Sequence, residues 1–504
     1  MLRDEIIEEY KKLCEAMDVE KISRDEYRKC GKSTHLIDNI FGSWRAFMDV
    51  VGQTVSKTRK TAEIKRTTNA NKVVITFAVD GQPINYECLD TLLNYSKINK
   101  CDFFILWGQD GKKKTGPGFK KDDFKKIKNY LATEICFDKD KKCQAKDLKI
   151  SYSSKNPLVN LDKLSNYTTT FIVGSPKQYL RTLPYHPSGQ YKIARSTGTI
   201  SSIKYDSTVS GTLDKQHNTM GGLVLEYSES SQRYIVRELI YKNFMINDMG
   251  TIYTSNKKTP PSKDMSVPAM VLGDMHFPEE DEDCIEKTIE LINKMNVDKV
   301  ILHDIFSLNS ISHHDLEKPL VQAIKSCSEG FVTLQEEMMT AGRKLDAMAK
   351  KCPNATFIVI HSNHDDFLSK YLNGSSWLYD RPNTLTAMRL FVDIAEGKNP
   401  FAEYFTSKNV KFLKEHEPLE ICGYELGEHG HLGISGARGS AVSYSKTYSK
   451  SVSAHTHSPT THETSVIVGT NSKLLLSYNG GITNWAHDNV AIYGNGTHQH
   501  IFLH

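Results

Sequence analysis

Five short groups of acid, amide and imidazole residues, each placed directly after an apolar run, constrain this chain more than any other feature. They are Asp274-Met275-His276, His303-Asp304, Asn363-His364-Asp365, His429-Gly430-His431 and His455-Thr456-His457. The runs before them, at residues 269–272, 299–302, 355–360, 424–426 and 452–454, read as buried strands. In an extended chain i and i+2 share a face, so Asp274 and His276 can reach one ion. A helix over 283–296, with Ile285, Ile289, Ile292 and Met295 at helical spacing, joins the first two runs. That strand-helix-strand unit delivers Asp304 beside Asp274 at the carboxyl edge of a parallel pair. Of the 19 histidines, all but His35, His186 and His217 follow residue 263. One His-x-His would be unremarkable in a β-rich protein; the ordered set at successive strand ends describes a site for two metal ions.

Composition sets the wider frame. A chain of 504 residues exceeds one ordinary core, so two to four domains are expected. No apolar run is long enough to span a bilayer, and the acidic amphipathic start lacks the order of a secretory signal. A cytoplasmic protein without a membrane partner is the expectation. The ten cysteines are scattered with no C-x-x-C pair, which argues for reduced, structural thiols. Residues 264–504 carry 20 Lys+Arg against 30 Asp+Glu, or −10; from chain totals of 64 and 60, residues 1–263 carry 44 against 30, or +14. The split suggests a catalytic part joined to a polyanion-binding part, although basic surface also serves solubility.

The pattern predicts an α+β protein, with a helical unit at 1–54, a linker at 55–70, a basic α+β region at 71–255 and an α/β catalytic domain at 264–504. In the first unit Ile6, Ile7, Tyr10 and Leu13 recur at helical spacing, and Ser23 with Glu26 forms a capping-box pattern. Residues 22–47 resemble the short helix-turn-helix repeats found beside homing endonucleases. In that likeness Tyr27, Ile37, Phe41, Trp44 and Phe47 form the core, leaving Arg24, Arg28, Lys29, Lys32 and Arg45 to contact phosphates. A three-helix protein-interaction module fits the same residues. Between Lys112 and Lys128 stand eight lysines, among them Lys112, Lys113 and Lys114, which suit a nucleic-acid path or a solvated face.

The order Gly-Asp-x-His, Asp, Asn-His-Asp, His-Gly, His-x-His over residues 265–470 resembles the calcineurin-like metallophosphoesterases. The resemblance implies a catalytic β-sandwich flanked by helices. It implies that Asp274, His276 and His457 hold a first ion, Asp304 bridges both, and Asn363, His429 and His455 hold the second. It also implies that His364 contacts the phosphate and assists the leaving group, oriented by Asp365. His303 and His431 would lie just outside the ligands. Three positions depart from the family pattern: His303, Ser362 and Ala454 stand where glycine is usual. Two ions roughly 3.5–4 Å apart would share a water, lower its pKa and clamp the phosphate for in-line attack. Oxygen and imidazole ligands without thiolate suit Mn, Fe, Zn or Ni; the resemblance implies manganese first, with Mg also accommodated.

Such a site does not fix its ester. The helix-turn-helix likeness, the basic surplus and the lysine run favour DNA, so a metal-dependent DNase is the expected activity. The domain order also resembles that of the host-DNA-degrading nucleases of T5-like bacteriophages, which would place the protein in the host cytoplasm. Two alternatives stand: a phosphomonoesterase or cyclic-nucleotide phosphodiesterase acting on small substrates, and a DNA-binding or transfer scaffold without activity. DNA is the expected partner, and a homo-oligomer is left open.

Overall fold

The structure is a computed structural model of the chain. It describes residues 2–19, 22–51, 63–108, 119–164, 168–261, 266–312, 318, 320, 332–476 and 479–503. Two compact units result, Met1–Glu63 and Ile64–His504. No described helix is long and apolar enough to cross a membrane. Every described cysteine is free.

The first unit holds helices Leu2–Ala16, Arg24–Lys29, Thr34–Phe41 and Trp44–Val50. Its core gathers Ile6, Tyr10, Tyr27, Ile37, Phe41 and Phe47, with Trp44 partly buried against them. The buried Tyr10 hydroxyl donates to the Ile22 carbonyl at 3.0 Å and accepts from the Ile22 amide at 2.9 Å, so no polar group is stranded there. Ser23 and Glu26 close the capping box read from their spacing.

The second unit is built on three mixed sheets. The eight-stranded sheet opens with Lys72–Val79, helix Tyr86–Asn99 and the parallel strand Asp102–Gly108, and grows outward through the antiparallel strands Gly221–Ser228 and Arg233–Lys242. The six-stranded sheet places Val410–Phe412, Thr356–Val359, Val297–Leu302 and Val267–Val271 in parallel, then adds Asp488–Ile492 and His498–Phe502 antiparallel. Alternation divides its residues between two cores. Ala269, Val271, Ile301 and Val490 face Leu426, Val452, Val466 and Val468 of the 11-stranded sheet. Met270, Val300, Leu302 and Phe357 face helices Glu282–Lys294 and Leu334–Lys351. The result is a two-sheet sandwich with helices on one outer face, which points the carboxyl ends of the parallel strands at one edge.

The 11-stranded sheet crosses the boundary inferred from composition. Leu180–Leu183 pairs with Thr460–His462 through Arg181↔Thr460 and Leu180↔Thr461. Residues on both sides of the expected break between 255 and 264 therefore belong to one compact unit, because strands from both sides pair within one sheet. Lys65–Thr68, within the expected linker, forms a strand of the same sheet, paired in parallel with Glu134–Phe137. A buried polar seam ties the three sheets together. Arg195, from the 11-stranded sheet, donates to the Val236 carbonyl at 2.7 Å and pairs with Glu238 of the eight-stranded sheet. Glu238 in turn accepts from the His500 amide of the six-stranded sheet at 2.9 Å. The His500 ring lies 2.6 Å from Asp488 and 2.9 Å from the Thr461 hydroxyl.

Arg195→Met leaves Glu238 buried without its cation, and breaking such a pair costs about 3–5 kcal/mol. The expected outcome is a clear fall in the urea denaturation midpoint, recovered in large part by Arg195→Met/Glu238→Leu. An Arg195→Met midpoint equal to wild type would contradict a stabilising seam.

Candidate metal centre

The five acid, amide and imidazole groups stand where the chain leaves their strands, and the structure brings them together. Asp274 and His276 follow Val267–Val271, His303 and Asp304 follow Val297–Leu302, and Asn363 to Asp365 follow Thr356–Val359. His429 follows Tyr424–Glu425, and His455 and His457 follow Ser451–Ser453. The backbone turns sharply at these points. His276, Asp304, His455 and His457 have φ of 48°, 47°, 71° and 56°. Positive φ in non-glycine residues costs on the order of 1–3 kcal/mol each and gathers where side-chain placement outweighs local comfort. Gly430, at φ 118°, separates His429 from His431, and a Cβ there would stand 2.9 Å from the Ala454 carbonyl oxygen. That close approach sets the His429 loop against the His455 loop.

The side chains converge on two carboxylates. Asp304 Oδ2 lies 3.6 Å from His276 Nε2, 3.6 Å from His429 Nε2 and 3.9 Å from His364 Nε2. Asp274 Oδ2 lies 2.7 Å from His457 Nε2, whose other close neighbour is His276 Nε2 at 3.0 Å. Asn363 Oδ1 sits between His429 Nε2 at 2.9 Å and His455 Nδ1 at 3.0 Å. Ligand atoms of Asp274, His276 and His457 fall within 4.8 Å of one another, as do those of Asp274, Asp304 and His429. His364 shares a third such group with His276 and Asp304.

Electrostatics fits these residues to a cation. Burial pushes the Asp274 carboxyl up to about 7 and the Asp304 carboxyl up to about 6. Burial also drives His303, His455 and His457 down to about 3, and His276 and His429 well below the usual imidazole value. Every group is thus held away from its own charge by a site that supplies little compensation. Asp304 Oδ1 and the Nδ1 atoms of His429 and His457 are buried without a hydrogen-bond partner among the described residues, and Asp274 Oδ2 meets only the His457 imidazole. Neutral imidazoles aimed at orphaned carboxylate oxygens are the donor set a divalent ion takes, and a cation reverses the pKa logic of the pocket.

Around this centre the remaining expected residues divide. The His364 Nδ1 atom lies 2.8 Å from the Ser307 carbonyl, which orients the ring. Asp365, expected in that role, instead accepts from the Ser362 amide at 2.8 Å and its hydroxyl at 3.1 Å, because it opens the next helix and turns back over the loop. His303 is fully buried with its ring 5.5 Å from that of His429. His431 is partly buried, 4.0 Å from Asp366. In the N-terminal unit Arg24 pairs with Asp38, Arg28 with Asp25 at 3.5 Å and Lys32 with Glu9, while Lys29 is exposed. The Arg45 side chain and Lys112, Lys113 and Lys114 lie outside the described residues.

Several supports carried no sequence signal. Gly273 and Asp274 are braced from about two hundred positions away: Asn489 Oδ1 accepts from the Gly273 amide at 2.9 Å, and the Asn471 amide donates to the Asp274 carbonyl at 2.8 Å. Thr470 donates its hydroxyl to the same carbonyl at 2.9 Å. Trp485 packs its ring edge-on against His457, centroids 4.0 Å apart.

No protein-family model matches the chain, and no solved structure matches it. Protein A1 of Escherichia phage T5 is similar to it, with 25% identity over 352 residues, covering 64% of this chain. The match spans 61% of the length of that relative.

Above their unfolded pKa the two raised carboxylates destabilise the metal-free fold, and a bound cation relieves this. Below about pH 6 the ion must also displace their protons. Mn²⁺ added to chelator-treated protein is therefore expected to raise the melting temperature more at pH 7.5 than at pH 5.5, with the response lost in Asp304→Ala. A melting temperature indifferent to divalent ions at both pH values would rule out the centre.

Proposed function

We propose that the chain is a metal-dependent phosphodiesterase acting on DNA, with a catalytic centre of the calcineurin-like metallophosphoesterase kind. The observation that carries this reading is Asp304: one buried carboxylate with imidazoles from three separate loops within 4 Å, and its second oxygen orphaned. Asp274, His276 and His457 would hold one ion, and Asn363, His429 and His455 the other, with Asp304 shared. Two divalent ions, manganese first, would supply the Lewis acidity that activates water and neutralises the phosphate.

The rest of the chemistry belongs to side chains. His364, held at Nδ1 by the Ser307 carbonyl, carries its proton on that nitrogen when neutral and turns Nε2 toward the centre. When protonated, it can give the Nε2 proton to the departing oxygen, a task for which its position beside Asp304 suits it. Asp365 fixes the Ser362 turn that presents Asn363 and His364. The strained turns at His276, Asp304, His455 and His457 hold these groups in place before substrate arrives.

The choice of DNA rests on the surplus of +14 in residues 1–263, on the helix-turn-helix likeness at the start, and on the similarity to a bacteriophage protein. In the N-terminal unit Arg24, Arg28 and Lys32 already pair with carboxylates, whereas Lys29 is exposed to take a phosphate. Incubation of the full chain with linear and circular DNA and Mn²⁺ is expected to degrade DNA, and EDTA to stop it. Asp304→Ala should lose nearly all activity, and His364→Ala roughly 10²–10⁴-fold in kcat. Intact DNA alongside turnover of small phosphoesters would favour the small-substrate alternative; variants matching wild type would remove the mechanism.

A further inference from the structure

We propose that the centre grips its substrate through two side chains outside the ligand set, Arg438 and Trp485, which take a neighbouring backbone phosphate and an unstacked base of a nucleic-acid strand. The inference rests on the hydrolytic reading above and deepens it by naming what the same site recognises.

Arg438 sits on a short arm that grows directly out of the His429-Gly430-His431 loop. Leu432 and Arg438 pair antiparallel, the Gly433 amide donates to the Ala437 carbonyl at 2.6 Å, and the Gly439 amide donates to the His431 carbonyl at 3.3 Å. The base of the arm is clamped. A Cβ on Gly439 would stand 2.0 Å from the Gly430 carbonyl oxygen, so the two strands of the arm meet there backbone to backbone. Gly430 itself rests on Ala454, the residue before His455. The arm is therefore fixed between two ligand loops. Arg438 stands exposed beside the base of the arm and has no ion pair among the described residues. An exposed arginine on an arm fixed between two ligand loops, without a carboxylate partner among the described residues, can take a phosphate.

Trp485 lies against His457, the other histidine of the His455-Thr456-His457 group. His457, against which its ring packs, belongs with Asp274 and His276, whereas His455 belongs with Asn363. The indole is partly exposed, and its loop is pinned: the Tyr185 hydroxyl donates to the Trp485 carbonyl at 2.8 Å, and Tyr185 and Thr483 exchange backbone bonds of 2.8 and 2.9 Å. The Ala486 amide donates to the His457 carbonyl at 3.1 Å. A rigid aromatic ring beside the reacting phosphate is a stacking platform that works on any base, provided that base has left its duplex stack. On this proposal a strand laid across the centre meets Trp485 beside His457 and Arg438 beside the His429 and His455 loops.

The test compares the full chain with Mn²⁺ on a single-stranded oligonucleotide and on bis(p-nitrophenyl) phosphate, a diester with neither base nor second phosphate. Trp485→Ala and Arg438→Ala are each expected to lower the ratio of kcat/KM for the oligonucleotide to that for the small ester by roughly tenfold or more, mainly through KM. Trp485→Phe should recover much of the ratio, and an abasic site beside the cleaved bond should erase the difference between wild type and Trp485→Ala. If wild type hydrolyses both substrates and the variants leave the ratio unchanged, the grip is wrong and the hydrolytic reading stands. If wild type hydrolyses neither, the hydrolytic reading fails and the grip falls with it.

Discussion

Burial of Asp274 and Asp304 among neutral imidazoles is the constraint on which the rest of the structure depends. A carboxylate taken out of water without a cation is costly enough that it takes up a proton instead, and both aspartates are shifted in that direction. Imidazoles suffer the opposite penalty and lose theirs. A pocket that forces both classes into their uncharged forms stabilises nothing by itself. The same pocket becomes favourable once positive charge enters, since deprotonated carboxylates and neutral imidazoles are the forms that bind a metal.

Holding such a pocket open to chemistry but closed to collapse requires support from every side. The sandwich supplies it by stacking two sheets whose strands end at one edge, so that loops from both layers face each other. Asn471, Asn489 and Thr470 then satisfy the backbone around Gly273 and Asp274, where an unpaired buried amide would otherwise let the loop shift. Farther back, the Arg195–Glu238 seam fixes the third sheet against the other two. Positive φ at four site residues is tolerated because these layers over-determine the turns.

That the five acid, amide and imidazole groups lie at strand ends was legible in the sequence because each is local: a short apolar run announces the end of its strand, and the residues that follow stand at that end. Helix Glu282–Lys294 and the capping box at Ser23 were legible for the same reason. What could not be read was non-local. The pairing of Leu180–Leu183 with Thr460–His462 joins segments nearly three hundred residues apart and leaves no periodic mark. The partner of His364 proved to be the Ser307 carbonyl, a backbone atom available at any residue, whereas Asp365 was favoured only by adjacency. Trp485 stands 28 positions beyond His457, in a segment held close to it by the bond between the Ala486 amide and the His457 carbonyl.

Charge balance connects the centre to its proposed substrate. The ligand set contains two carboxylates, Asp274 and Asp304; Asn363 is neutral and the histidines are held neutral by burial. Two divalent ions would bring four positive charges against two negative ones, leaving a surplus of about two in a site of low dielectric, where an anion is attracted far more strongly than in water. A third or fourth carboxylate among the ligands would cancel that surplus. The surplus suits a phosphate at the point of attack and says nothing about what lies beyond it. Selection among phosphoesters must then come from groups outside the ligands, and in a half of the chain with a net charge of −10 an arginine beside the centre stands out against its surroundings. On the proposed grip, Arg438 and Trp485 would touch a polymer beyond the reacting phosphate and leave a small ester untouched, so a preference for nucleic acid would arise at those two positions without altering the centre itself.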